Sequence, residues 1–188
     1  MRFRCIAVER EHINLQFHNQ DGELGFYKFY YQLLHHWIQD FNEYNIYCDV
    51  KKNRDPLRLH TLKKYLDASN ISSTIKNIQS LPSRQLVLIQ FCDFLLGAAS
   101  SRMNNMLRVG SAKEAVVQYL EKSLEVEKLI KTVRDEQKFN VFKIRLKGGG
   151  NDSAVTSLLR NQRSVLSSFC LGIVREIDNN FIWYKSLL

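Results

Sequence analysis

Residues 86–99 read Leu-Val-Leu-Ile-Gln-Phe-Cys-Asp-Phe-Leu-Leu-Gly-Ala-Ala, an almost uninterrupted apolar run that contains one carboxylate. The length of the run predicts a buried helix, because strands are usually shorter. Asp93 is costly in such surroundings unless it is paired, hydrogen-bonded or bound to a cation. Gln90 and Gly97 share its helix face, and a glycine there would let a strand, ligand or metal site approach closely. We therefore expect a site on this face; the alternative is that Asp93 pairs with an arginine or caps a neighbouring element.

Strands and helices alternate on either side of this helix. Before it, the sequence predicts strands over 3–9, 45–50 and 71–79 and helices over 26–42 and 57–68. Ser83 is the expected N-cap of the apolar helix. After it, the sequence predicts a helix over 111–134, a strand over 139–147, a helical segment over 153–177 and a short strand over 181–184. This order indicates an α/β domain with a mixed or parallel sheet.

The composition is that of an ordinary globular protein. The 188 residues are 45% hydrophobic and 24% charged, and the 2 prolines and 8 glycines exclude collagen-like and low-complexity chains. No apolar run is long enough for a membrane helix, and the first residues do not resemble a secretory signal. The four cysteines are isolated, which argues against zinc and redox motifs. We therefore expect a cytoplasmic protein.

The net charge of +8 is concentrated in the middle of the chain, where residues 51–110 hold 10 Lys/Arg and 3 Asp/Glu. Such a basic segment favours a polyanionic partner such as nucleic acid. The predicted phosphate-binding residues are Lys51, Lys52, Arg54 and Arg58 after the second strand, and Lys143, Arg145 and Lys147 along one face of the 139–147 strand. The alternative is an ordinary solvated surface or a patch that faces an acidic subunit.

Asp49 is a second candidate site residue. It stands at the carboxyl end of an apolar strand, where binding sites form in open α/β sheets. Together with Asp93 it would supply two carboxylates for Mg²⁺ or Mn²⁺, the minimum for metal-assisted cleavage of a phosphodiester. The alternative is a loop-capping aspartate, which is a common role at this position.

Three stretches resemble the domain of unknown function 3800 family. They are Phe-Tyr-Lys-Phe-Tyr-Tyr at 26–31, Ile-Tyr-Cys-Asp at 46–49, and Ile-Gln-Phe-Cys-Asp-Phe-Leu-Leu-Gly-Ala at 89–98, with Ser83 before the last. The resemblance implies a ribonuclease H-like mixed sheet flanked by helices over residues 1–106. Residues 107–188 would form a helical and strand extension packed on that core. It further implies that Asp49 and Asp93 bind Mg²⁺ or Mn²⁺ and that Gln90 orients or contacts the site.

The chain departs from this family in one important respect. The family's first strand carries Asp-Glu-Ser-Gly, and that motif occurs nowhere here. A ribonuclease H-like site needs about three or four carboxylates, and only Glu9 offers itself as a third. The resemblance thus implies one of three explanations: the chain is a truncated product, a catalytically inactive relative, or part of a site that another polypeptide or another copy completes. The sheet edge left beside the first strand would need covering, by the chain's own C-terminal strand or by a partner.

Two functions follow as expectations. The first is a divalent-metal-dependent, nuclease-like domain that acts on nucleic acid phosphodiesters and is incomplete or degenerate. The alternative is a non-catalytic subunit that binds nucleic acid or another protein within a larger assembly, such as a bacterial defence or mobile-element system, a setting that only the resemblance suggests.

Overall fold

A computed structural model of the chain describes residues 1–9, 21–51, 53–133, 135–144, 168–175 and 181–187; for Glu9 and the last two ranges it describes the backbone alone. The strands are β1 (Arg2–Glu9), β2 (Glu43–Asp49), β3 (Thr74–Leu81), β4 (Phe139–Ile144), β5 (Ser168–Arg175) and β6 (Phe181–Leu187). The helices are α1 (Gly22–His35), α2 (Arg58–Ser69), α3 (Val87–Met103) and α4 (Ala112–Ser123). A 3₁₀ turn over Ser83–Gln85 precedes α3. The predicted α/β class is confirmed.

All six strands belong to one mixed sheet, in the order β3-β2-β6-β5-β1-β4. Only β5 runs against the others, because its ladders with β1 and β6 are antiparallel and the remaining three ladders are parallel. The β5–β6 pair thus lies between β1 and β2. The edge beside β1 that the sequence left open is covered by the chain's own later strands.

Helices cover both faces of the sheet, and the alternation of β1 shows this directly. Ile6 and Val8 pack with α1 and α2 in one buried cluster. Phe3, Cys5 and Ala7 pack with α3, α4 and β4 in a second cluster. Because successive side chains of a strand point to opposite faces, β1 is apolar on both sides over residues 5–8, where the sequence is a continuous apolar run.

A buried ion pair joins α3 to α4. The guanidinium of Arg102 donates to both carboxylate oxygens of Glu121, at 2.6 and 2.7 Å. Glu121 is buried and also accepts the backbone N–H of Leu129 at 2.7 Å. The chain after α4 is thereby held to the same layer. None of the described helices is both long and apolar enough to span a bilayer.

Several predicted boundaries are wrong, and each has a local cause. Helix α1 begins at Gly22 rather than at 26, because the Asp21 side chain caps it by accepting the Glu23 N–H at 2.9 Å. Helix α4 ends at Ser123, and Glu125 follows in the left-handed region with a φ of 54°. Ser83 does not cap α3, since Leu86 occupies the N-cap position and no side chain caps it.

The predicted helical segment over 153–177 is wrong at its end, where residues 168–175 form β5; residues 153–167 lie outside the described part of the chain. The run Ser-Phe-Cys-Leu-Gly-Ile-Val-Arg is apolar without clear alternation, and periodicity alone cannot separate such a strand from a buried helix. Residues 168–175 form a strand because they are hydrogen-bonded to β1 on one side and to β6 on the other. The predicted division at residue 106 falls after α3, and strands from both sides of it share the sheet.

Candidate site at the carboxyl end of strand β2

The backbone of Ser83 joins two of the predicted site residues. Asp49 Oδ1 accepts the Ser83 N–H at 3.1 Å, and Gln90 Nε2 donates to the Ser83 carbonyl oxygen at 3.0 Å. The burial of β2 alternates so that Tyr44, Ile46 and Cys48 face α1 and α2. Asp49 therefore lies on the face that α3 covers. The structure brings Asp49 and Gln90 together at one edge of the sheet.

Asp93 lies about one turn after Gln90 on α3, and it is less buried than the apolar sequence around it predicts. It is half-buried, and the same side of the helix exposes Gln90 and 53% of Phe94. Ile89 and Leu96, four residues before and three residues after Asp93, are buried, so Asp93 lies at the border between the buried and the exposed sides of α3. Apart from Gly97 itself, its chain neighbours and the adjoining backbone of α3, no described atom lies within 4 Å of the place where a Cβ of Gly97 would be. The expected close approach at Gly97 is therefore not made by any described residue.

The predicted phosphate-binding arginines are engaged with two carboxylates at the start of α1. Arg58 pairs with Asp21 and donates from Nε to Glu23 Oε1 at 2.9 Å. Arg54 pairs with Asp21 through its side chain, and its backbone N–H donates to Glu23 Oε2 at 2.8 Å. The four residues thus form one ion-pair cluster, which consists of Asp21, Glu23, Arg54 and Arg58. Any phosphate at the two arginines would compete with the two carboxylates of this cluster.

The contacts within the ion-pair cluster shift the pKa values of its members. Burial raises the pKa of Glu23, but hydrogen bonds from Arg54 and Arg58 outweigh it and hold the pKa below its ordinary value. The hydrogen bond that Arg58 donates to Glu23 raises the pKa of Arg58. These shifts show that the cluster is an interacting unit of opposite charges, which favours the ionised form of each member.

Lys51 lies over an aromatic ring instead of in open solvent. Its Nζ is 3.4 Å from the ring centroid of Phe26, a cation–π contact. Burial lowers the pKa of Lys51, with Glu23 acting in the opposite direction. Beside it, Asn53 Nδ2 donates to the hydroxyl of Tyr27 at 2.8 Å, and burial raises the pKa of Tyr27 to about 12.

The remaining predicted site residues are only partly described. Lys52, Arg145 and Lys147 lie outside the described residues, as does the side chain of Glu9. Lys143 is half-buried on β4 and shares a sheet face with the buried Phe139 and Val141, so it lies on the α3 side. Within the described part of the chain, no group of three or more His, Cys, Asp or Glu side chains is placed to hold a metal ion.

Sequence reasoning missed the two carboxylates that bind the arginines. Asp21 and Glu23 lie more than thirty residues before their partners. An Asp followed two positions later by a Glu, directly before an apolar helix, is a helix-start signal that the sequence did contain. The pairing with Arg54 and Arg58 had no such local signal, because it depends on how α1 and α2 pack.

Comparison of the chain with protein-family models, with curated proteins and with solved structures finds no match.

Proposed function

We propose that the chain is a ribonuclease H-like domain that binds a divalent cation together with a nucleic acid phosphate, at the carboxyl end of β2. Asp49 and Asp93 are the carboxylate ligands, and Gln90 is a positioning residue. The observation that carries this proposal is the pair of hydrogen bonds through which Ser83 connects Asp49 to Gln90. A mixed sheet with helices on both faces supports the fold part of the proposal.

The donor set fits a hard cation. Carboxylate and amide oxygens are the ligands that Mg²⁺ and Mn²⁺ prefer. Mg²⁺ is commonly bound by only one or two carboxylates plus waters and substrate phosphates. Two aspartates therefore suffice for an ion whose coordination the nucleic acid completes. When bound, such an ion would neutralise phosphate charge and activate water.

The residues of this chain would act mainly by positioning. Asp49 already shares one oxygen with the Ser83 N–H, which fixes the orientation of the carboxylate plane. Gln90 donates to the Ser83 carbonyl and so ties α3 to the same loop. The edge where these groups meet is the usual location of sites in open α/β sheets.

A specific observation favours the second candidate function, a non-catalytic subunit. Among the described residues, no third carboxylate joins Asp49 and Asp93 in a group that could hold a metal ion, and Asp49 makes the contact expected of a loop-capping residue. On this alternative, Asp49 stabilises the 3₁₀ turn and the domain binds nucleic acid or a protein without cleaving it.

Titration calorimetry with Mn²⁺ tests the cation site. Asp49→Asn keeps an oxygen that accepts the Ser83 N–H and removes the charge, so it separates metal binding from loop capping. We expect Asp49→Asn and Asp93→Asn each to weaken Mn²⁺ binding at least tenfold. The matched control is Asp67→Asn, which removes a carboxylate paired on the surface with Lys63 at 2.7 Å.

Equal Mn²⁺ affinity in all three variants, or no binding by the unaltered chain, would reject the cation site. The proposal is supported if Mn²⁺ strengthens the binding of a single-stranded oligonucleotide to the unaltered chain but not to the Asp49→Asn and Asp93→Asn variants. Cleavage of that oligonucleotide then decides between the two functions, because the non-catalytic subunit binds without producing fragments.

A further inference from the structure

A cavity of about 280 Å³ opens at the opposite edge of the sheet from Asp49. Arg2 and Arg4 of β1, Asn140 of β4 and Trp37 from the turn after α1 line it. Strands β1 and β2 run in the same direction, so the start of β1 and the end of β2 lie at opposite edges. A strand of this length spans about 25 Å, and the cavity is therefore distinct from the candidate cation site.

Two residues of the lining each have a buried side-chain atom with no hydrogen-bond partner in the described part of the chain. Asn140 is only 4% exposed. Its Nδ2 donates to Thr132 Oγ1 at 3.3 Å and to the Val133 carbonyl oxygen at 3.4 Å, whereas its Oδ1 accepts from no described residue. The Nε of Arg4 is also buried and donates to no described residue. Buried polar groups are nearly always paired, so this donor and this acceptor call for an explanation.

Arg4 and Asn140 lie side by side on one face of the sheet. They are partners in the β1–β4 register, so their side chains project from the same face of neighbouring strands. Among the described residues Arg4 forms no ion pair, and its guanidinium lies 5.8 Å from the ring centroid of Phe142. Burial lowers the pKa of Arg4. A group that offers an acceptor beside a donor would satisfy both residues together.

The charges in the lining limit the ligand class. Arg2 and Arg4 are balanced by Asp135 and Glu136, so the cavity does not favour a polyanion. Glu136 already accepts the backbone N–H groups of Lys138 and Phe139 at 2.6 and 3.2 Å. The volume is at the lower limit of small-ligand pockets, and Trp37 supplies an aromatic wall. A neutral, flat and small ligand fits this description.

We propose that this cavity binds a single nucleobase, which Arg4 and Asn140 recognise by its hydrogen-bonding edge. Every nucleobase presents a donor next to an acceptor on that edge, and asparagine and arginine are the side chains that commonly bind base edges. The base belongs either to a free nucleoside or to an unpaired position of a strand, where bases stack on aromatic side chains. The proposal does not depend on the cation site.

Tryptophan fluorescence provides the test. The sequence contains 2 tryptophans, so a Trp183→Phe background leaves Trp37 as the reporter inside the cavity. We would titrate this protein with each of the four ribonucleosides and with a short single-stranded oligonucleotide, all in a chelator of divalent cations. We expect saturable quenching by at least one nucleoside, or by the oligonucleotide alone if the base must be part of a strand.

Variants locate the binding and separate it from general charge effects. Arg4→Ala and Asn140→Ala are each expected to weaken binding about tenfold, the size of one lost buried hydrogen bond. Arg108→Ala is the matched control, because it removes the same charge from an exposed position outside the lining. Should Arg4→Ala fail to fold, Arg4→Lys keeps the charge, lacks the Nε donor and is expected to lose the same affinity.

Absence of saturable quenching by all four nucleosides and by the oligonucleotide would overturn the proposal. Equal weakening in Arg4→Ala and Arg108→Ala would do the same, since it would indicate a charge effect.

Discussion

At the scale of single residues, Asp21 and Glu23 determine the state of the arginines that follow β2. Arg58 is 15% exposed and Glu23 is 9% exposed, so their hydrogen-bonded pair is largely withdrawn from solvent. Arg54 is 75% exposed, and its pairing with Asp21 is a surface contact of small energetic value. Of these two contacts, the Arg58–Glu23 pair is therefore expected to contribute more to the free energy of unfolding.

We predict that the ion-pair cluster of Asp21, Glu23, Arg54 and Arg58 makes the free energy of unfolding depend on pH. The pKa of Glu23 is lowered from its ordinary value of 4.5. A lowered carboxyl pKa adds stability that is present above the ordinary value and is lost as the pH falls through the lowered one. Glu23→Gln should thus cost roughly 1–2 kcal/mol at neutral pH and much less in acid, measured by urea unfolding.

The matched control for this prediction is Glu127→Gln, an exposed substitution outside the cluster. Its effect should be small at every pH. A constant difference between Glu23→Gln and the unaltered chain across the acid range would show that the carboxylate does not contribute through its ionisation.

At the scale of elements, the helices begin in different ways. The hydroxyl of Ser111 caps α4 by accepting the Glu114 N–H at 3.2 Å. Helix α3 begins without a side-chain cap and is preceded by a 3₁₀ turn, in which Leu86 donates to the Ser83 carbonyl. Both serines stand shortly before an apolar helical pattern, yet only Ser111 uses its hydroxyl as a cap.

We predict that alanine substitution separates the two serines. Ser111→Ala should lower the free energy of unfolding by about 1 kcal/mol, because one helix N–H loses its partner. Ser83→Ala should change it by no more than about 0.5 kcal/mol, since the backbone of Ser83 makes the contacts with Asp49 and Gln90. Chemical denaturation followed by circular dichroism measures both. A larger loss at Ser83 would indicate that its hydroxyl has a role in the candidate site.

Elements with strong local patterns could be predicted, and those determined by distant partners could not. Strand β1 and helix α2 were predicted to within a residue at each end, because apolar spacing and turn residues mark them. Strand β5 was taken for a helix, since its apolar run has no distinctive period and its identity depends on β1 and β6. In the candidate site, the position of Asp49 followed from its strand, whereas the half-burial of Asp93 depends on how α3 packs.

At the scale of the whole molecule, the sheet depends on the β5–β6 pair. Strand β1 bonds to β4 and β5, and β2 bonds to β3 and β6, so no described ladder joins β1 to β2 directly. The two halves of the sheet are connected through strands that come much later in the chain. Helices α1 and α2 pack in one buried cluster with side chains of both β1 and β2, but they supply no backbone ladder.

We predict that a chain ending at residue 167 loses its single cooperative unfolding transition, because the β1–β4 and β2–β3 pairs become separate edges. Ile173→Pro should act similarly, as proline removes a backbone donor from a strand paired on both sides. Lys76→Ala is the control; it removes only an exposed pair with Glu43 and should cost no more than about 0.5 kcal/mol. Calorimetry that shows one intact transition in the shortened chain would contradict this prediction.

The central position of β5 and β6 also has a consequence for biosynthesis. A ribosome adds about 5–20 residues per second, so β1, β2 and β3 exist for several seconds before the strands that join them are made. During that interval β1 and β2 both expose hydrogen-bonding edges, and pairing between distant parts of a chain is slow. Completion of the sheet therefore waits for the synthesis of β5 and β6, and during that interval the nascent chain is a natural client for chaperones that shield strand edges.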